Sequence, residues 1–129
     1  MSNFTLPRSE RLKSLKVIRR MFVEGKSGFV YPFRYTYYPV QQGEAAESIG
    51  VMFSVPKKFH KRANKRNLLK RRTREAYRLS SMRERMRAIA EQKGVTIDLA
   101  FVYSTKEVHS YKTVTHAVQR ILEQVCENI

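Results

Sequence analysis

The sequence predicts an α+β fold, a compact single-domain α/β sandwich with the element order αβ(β)βαβα. Three observations predict it. Apolar residues recur at helical spacing near both ends and in the middle of the chain; aromatic and β-branched runs lie between those stretches; and 129 residues suffice for one modest core rather than two. Residues 1–129 are therefore read as one domain.

Leu12, Leu15, Ile18 and Phe22 repeat at helical spacing between Ser9 and Glu24, with Ser9 as N-cap and Gly25 as stop. From Gly28 to Val40 the chain is rich in aromatic and β-branched residues and reads as strand, which Pro32 either sets at a sheet edge or breaks in two. Alternation separates Phe33, Tyr35 and Tyr37 from Arg34, Thr36 and Tyr38. Core packing is expected for most of these rings, leaving some to stack on bases. Gln41 to Ser48 is a polar loop. Ile49 to Val55 reads as a buried strand closed by Pro56, and a long helix follows from Ala63 to about Gln92, where Lys93 and Gly94 stop it. Val95 to Ser104 is the last strand. Ser110 caps a final helix that carries Tyr111, Val114, Ala117, Val118, Ile121, Leu122 and Val125. A strand, helix and strand between Ile49 and Ser104 predict a parallel pair, whose crossover is generically right-handed.

The formal net charge is +15, and residues 57–78 hold eleven of the 26 Lys and Arg with a single acid, Glu75. Leu68, Leu69, Ala76 and Tyr77 are threaded through this segment and Leu79 follows it, so the charge is mounted on a helix rather than a disordered tail. On a helical wheel Leu68, Leu69, Ala76, Leu79, Met82, Met86 and Ala90 share one arc. Arg66, Asn67, Lys70, Arg71, Arg74 and Arg78 take the other, while Arg72 projects toward the apolar arc and must snorkel outward. Like charges at i,i+4 repel by about 0.2–0.5 kcal/mol per pair, a cost that a polyanion removes. Phosphate is the expected partner.

The N-terminal residues lack an apolar signal core, and no run approaches the roughly 20 apolar residues of a membrane span. A cytoplasmic protein is expected. Cys126 is the only cysteine, and His60, His109 and His116 form no zinc pattern. Asp98 is the only aspartate, the glutamates are scattered, and neither HExxH, DxD nor a Gly-rich phosphate loop occurs, so binding is expected rather than intrinsic catalysis. A ribosomal or chaperone-like RNA binder, a DNA-binding regulator and an independent nuclease remain as rivals. The last two lack a helix-turn-helix or dimer seam and a carboxylate cluster, respectively.

The run VMFSVPKKFHKRANKRNLLKRRTREAYRL resembles the signature of the bacterial ribonuclease P protein subunit, on Lys57, Lys58, Ala63, Arg66, Asn67, Lys70, Arg71 and Arg74 in order. RLKSLKVIRRMFVEG resembles that family's first helix. Leu68 stands where the family commonly has arginine, and Ile18 where an aromatic often sits. The resemblance implies a left-handed βαβ crossover, overriding the generic rule, in an architecture shared with a domain of a ribosomal protein. It further implies an RNA-binding surface. With the neighbouring cations this comprises Lys57, Lys58, Arg62, Lys65, Arg66, Asn67, Lys70, Arg71, Arg74 and Arg78. A cleft for the 5′ leader of precursor tRNA is implied at Ile18, Phe22, Arg34 and Thr36. The implied partners are the catalytic ribonuclease P RNA and the precursor tRNA leader, without an obligatory protein partner or a membrane. No protein residue is expected to be catalytic: the RNA would hydrolyse the phosphodiester with Mg²⁺ held mainly by itself and the substrate, none being bound by the protein alone.

Overall fold

The computed structural model describes residues 11, 12, 14–41 and 48–129. Helix α1 (Leu15–Glu24) begins after an extended entry, in which Leu12 N donates to Val51 O at 2.9 Å. Ser9, expected as N-cap, lies outside the described residues. Ser14 caps the helix instead, its Oγ accepting from Val17 N at 3.4 Å, and Gly25 ends it as expected. The aromatic run divides at Tyr31 and Pro32 into β1 (Lys26–Val30) and β2 (Phe33–Gln41), so strand pairing begins two residues before Gly28. Then follow β3 (Ile49–Ser54), α2 (Ala63–Arg78), α3 (Ser81–Lys93), β4 (Val95–Tyr103) and α4 (Tyr111–Asn128).

The sheet order is β1-β2-β4-β3, antiparallel except for the parallel β3–β4 pair that the strand–helix–strand pattern requires. Alternation holds on β2. Phe33, Tyr35 and Tyr37 face the core with Ile97, Leu99, Phe101 and Tyr103 of β4 and Ile49 and Val51 of β3, against Leu69, Ala76, Tyr77, Met86 and the inner stripe of α4. Each such large side chain contributes about 1.5–3 kcal/mol by leaving water. Phe101 is clasped by Phe33 edge-on at 5.9 Å and Phe53 stacked at 5.7 Å, which ties β2, β4 and the edge strand β3 together.

The helix expected from Ala63 to Gln92 is two helices. Leu79 closes α2, and Ser80 starts α3 by accepting from Met82 N at 3.2 Å while its hydroxyl donates to Gln119 on α4 at 2.7 Å. Past the break Met82, Met86 and Ala90 still pack on the core as the wheel expects, but Leu79 and Arg83 depart from it. Leu79, placed in the apolar arc, is 51% exposed, whereas Arg83 is buried with its guanidinium over the Tyr77 ring. Gly94, at φ 67°, ends α3 in the left-handed region that favours glycine.

Helix α1 covers part of the opposite face of the sheet. Its entry is anchored on β3, Arg20 reaches Asp98 of β4 and the Tyr38 ring of β2, and Gly25 closes against Tyr37 and Thr36, so α1 crosses the strands toward β1. Gly50 permits this approach, because a Cβ there would lie 2.4 Å from Leu12 Cδ2.

Candidate nucleic-acid interface

The basic residues are distributed over the loop between β3 and α2 and over the outer side of α2, whose inner side is held by Leu69, Thr73, Ala76 and Tyr77. Lys57, Lys58, Arg62, Lys65, Asn67, Arg71 and Arg74 are exposed, and Lys70 is half-buried. No acid lies in the first turn of α2, and Arg62 at the N-cap position gives no side-chain cap. The positive end of the helix dipole therefore adds to the cations around it. Two of the predicted RNA-binding cations are already engaged. Arg78 makes a two-pronged pair with Glu75, one nitrogen lying 3.1 and 3.2 Å from the two carboxylate oxygens, so its charge is compensated locally. Arg66 Nη1 donates to His60 O at 3.0 Å and Lys61 O at 2.7 Å, tying the loop that carries Lys57 and Lys58 to the helix.

That loop is also braced from the other side. His60 is buried, its Nε2–H donates to Thr105 O at 2.8 Å, and its ring meets Tyr103 edge-on. Arg72 does not snorkel into water. It donates to His109 O and so joins α2 to the turn before α4. Leu68 is half-buried at the edge of the packed face rather than in the core.

Of the four residues expected for a leader cleft, Ile18 and Phe22 lie on α1 and Arg34 and Thr36 on β2, the strand that α1 packs against. Arg20 reaches Asp98 from one side of α1, while Leu15, Ile18 and Phe22 share another side by their helical spacing. Leu15 is 70% and Phe22 45% exposed, Ile18 is half-buried, and Arg34 is exposed. Thr36 shares the parity of Arg34 but is buried beneath Gly25, and its hydroxyl lies 2.9 Å from Ser27 Oγ. It belongs to the packed floor and is not an accessible cleft residue. Phe29 was not singled out for the site. It pairs with Arg34 across β1 and β2, so their side chains share a face, and it is 55% exposed. Alternation in β1, opposite Arg34, was the signal that could have found it. Ser54 ends β3 where the basic loop departs, and it pairs with Val102, the penultimate residue of β4.

Beneath α1, Asp98 is 3% exposed, and its carboxylate lies 3.8 Å from Arg20. Burial raises its pKa to about 6, against the opposing pull of Arg20. Among the described residues no three His, Cys, Asp or Glu side chains converge in a metal-binding group, and no helix is long and apolar enough to cross a membrane. The arrangement offers fixed cations, amide and hydroxyl donors and exposed rings: it can bind and orient a polyanion.

The family model described as Ribonuclease P matches residues 6–126. A ribonuclease P protein component of Porphyromonas gingivalis is 35% identical over 128 residues, covering 99% of this chain and 91% of its own. That of Chlorobaculum tepidum is 36% identical over 106 residues, covering 78% and 68%. Among solved structures, a Staphylococcus aureus RNase P protein superposes with a TM-score of 0.62 at 17% identity, covering 90% of this chain and 94% of that one. A mutant of that protein with defective mRNA degradation activity gives 0.67, also at 17% identity, covering 92% and 89%. The structural likeness establishes the fold.

Proposed function

The chain belongs to the ribonuclease P protein family, and from that premise we propose that it binds the catalytic RNA through α2 and the preceding loop while its α1-side cleft holds the 5′ leader of precursor tRNA. Membership makes it a component of a ribonucleoprotein endoribonuclease of tRNA 5′ maturation, with ribonuclease P RNA as partner. The observation that carries the finer reading is the outer side of α2, where Lys70, Arg71 and Arg74 stand together beside Asn67. Arginine forks and lysine point charges on a rigid helix suit phosphates spaced along a folded RNA. Bond cleavage would fall to the RNA, with the Mg²⁺ that the reaction uses held mainly by RNA and substrate. The protein's residues would neutralise charge and align the leader. Phe22 and Phe29 would stack on unpaired bases, and Arg34 would contact the backbone between them.

Equilibrium binding of ribonuclease P RNA across a salt series tests this reading. Replacing Lys70, Arg71 and Arg74 together by alanine should weaken binding and lower the log–log salt slope by about two to three units, roughly 0.9 per lost phosphate contact. An unchanged slope would remove the outer side of α2 from the interface.

A further inference from the structure

A groove of about 800 Å³ runs between the end of β1 and the first turns of α4. Its wall carries the exposed rings of Tyr31 and Tyr111 together with Lys112 and His116, and no carboxylate is among the described residues lining it. Drug-sized sites run roughly 300–1,000 Å³, so there is room for more than one base. We propose that this groove is a second RNA subsite, in which unpaired nucleotides stack on Tyr31 and Tyr111 with Lys112 near a backbone phosphate. The inference rests on the reading of the chain as an RNA-binding subunit.

Two observations select RNA over a protein occupant. The first is charge complementarity: a ring-lined groove with a lysine, a histidine and no lining carboxylate, on a chain of net charge +15, favours a polyanion that presents planar bases. The second is continuity with the basic face. Arg66 holds His60 O, His60 donates to Thr105 O, and Thr105 Oγ1 lies 3.3 Å from the Tyr31 hydroxyl, while Arg72 holds His109 O. A strand leaving the N-terminal end of α2 would thus meet the groove across one braced loop.

Tyr31 is prepared as a platform. Its hydroxyl donates to Glu107 at 2.8 Å and lies 3.0 Å from His109 Nε2, and its ring is met edge-on by Phe29 at 6.3 Å and His109 at 5.1 Å. Little side-chain freedom remains to be lost on stacking. Glu107 accepts from the Tyr31 hydroxyl and so holds the ring in place.

The test uses the full chain in two measurements. In the first, the protein is assembled with thiouridine-substituted ribonuclease P RNA and precursor tRNA, irradiated, and the crosslinked peptides are mapped. Adducts on Tyr31 or Tyr111 are expected. In the second, affinity for a short oligouridine is compared for wild type, Tyr111→Ala and Tyr111→Phe. Loss of one stacked base should weaken the alanine variant about tenfold, with phenylalanine within about twofold of wild type. If ribonuclease P RNA still binds but neither adducts nor an alanine effect appear, the groove is not an RNA site and the subunit reading stands. If wild type fails to bind ribonuclease P RNA, the subunit reading fails and takes this inference with it.

Discussion

Arginines that look alike in the sequence do different work. Arg74 is exposed on the outer side of α2, whereas Arg66 holds two carbonyls of the loop before it. Arg74→Ala should therefore leave unfolding by urea within about 0.5 kcal/mol of wild type and lower the salt slope of RNA binding by about one unit. Arg66→Ala should also destabilise the fold, by about 1–2 kcal/mol, because two hydrogen bonds to loop carbonyls are lost and the loop bearing Lys57 and Lys58 loosens. Equal stabilities for the two variants would contradict that distinction. Asp98 gives a second test. Its pKa is raised from 3.8 to about 6 by burial, so the folded state binds its proton more tightly than the unfolded chain. Its contribution to stability is fully present below pH 3.8 and is lost as the pH rises through about 6. The stability of wild type relative to Asp98→Asn, from urea titrations at several pH values, should fall between about pH 4 and 6 and stay level above. A flat difference would place the carboxylate in water.

The helices and strands were legible where their signals are local. Ser110 and the two glycines at helix ends sit where caps were expected, and the parity of β2 follows from alternation alone. The division of the long helix was missed because a wheel assumes unbroken phase, although the Ser80–Ser81 pair is an N-cap signal in the middle of it. Ser80 serves α3 and Gln119 together. Ser80→Ala should cost about 1 kcal/mol in urea unfolding, and a neutral result would deny the cap its role. Thr36 was misplaced for another reason. Strand parity was right, but no periodicity tells that α1 and Gly25 come down on that part of the face and leave the half around Arg34 and Phe29 open.

For the whole molecule, the basic run and its family signature carried the functional reading, because charge and spacing are properties of the chain itself. What the sequence could not supply is how the pieces adjoin: β3 of the parallel pair leads directly into the basic loop, while α1 packs against β2. An RNA bound along α2 and a leader in the cleft would both lie on a domain of net charge +15. Raising the salt should weaken RNA binding steeply, since several phosphate contacts each release counterions. The most direct measurement is 5′ processing of a precursor tRNA at low Mg²⁺ by a bacterial ribonuclease P RNA, with and without this protein, beside a protein-only control. Correct cleavage should be stimulated by the protein while the protein alone stays inert; RNA binding without stimulation, or cleavage by the protein alone, would contradict the account.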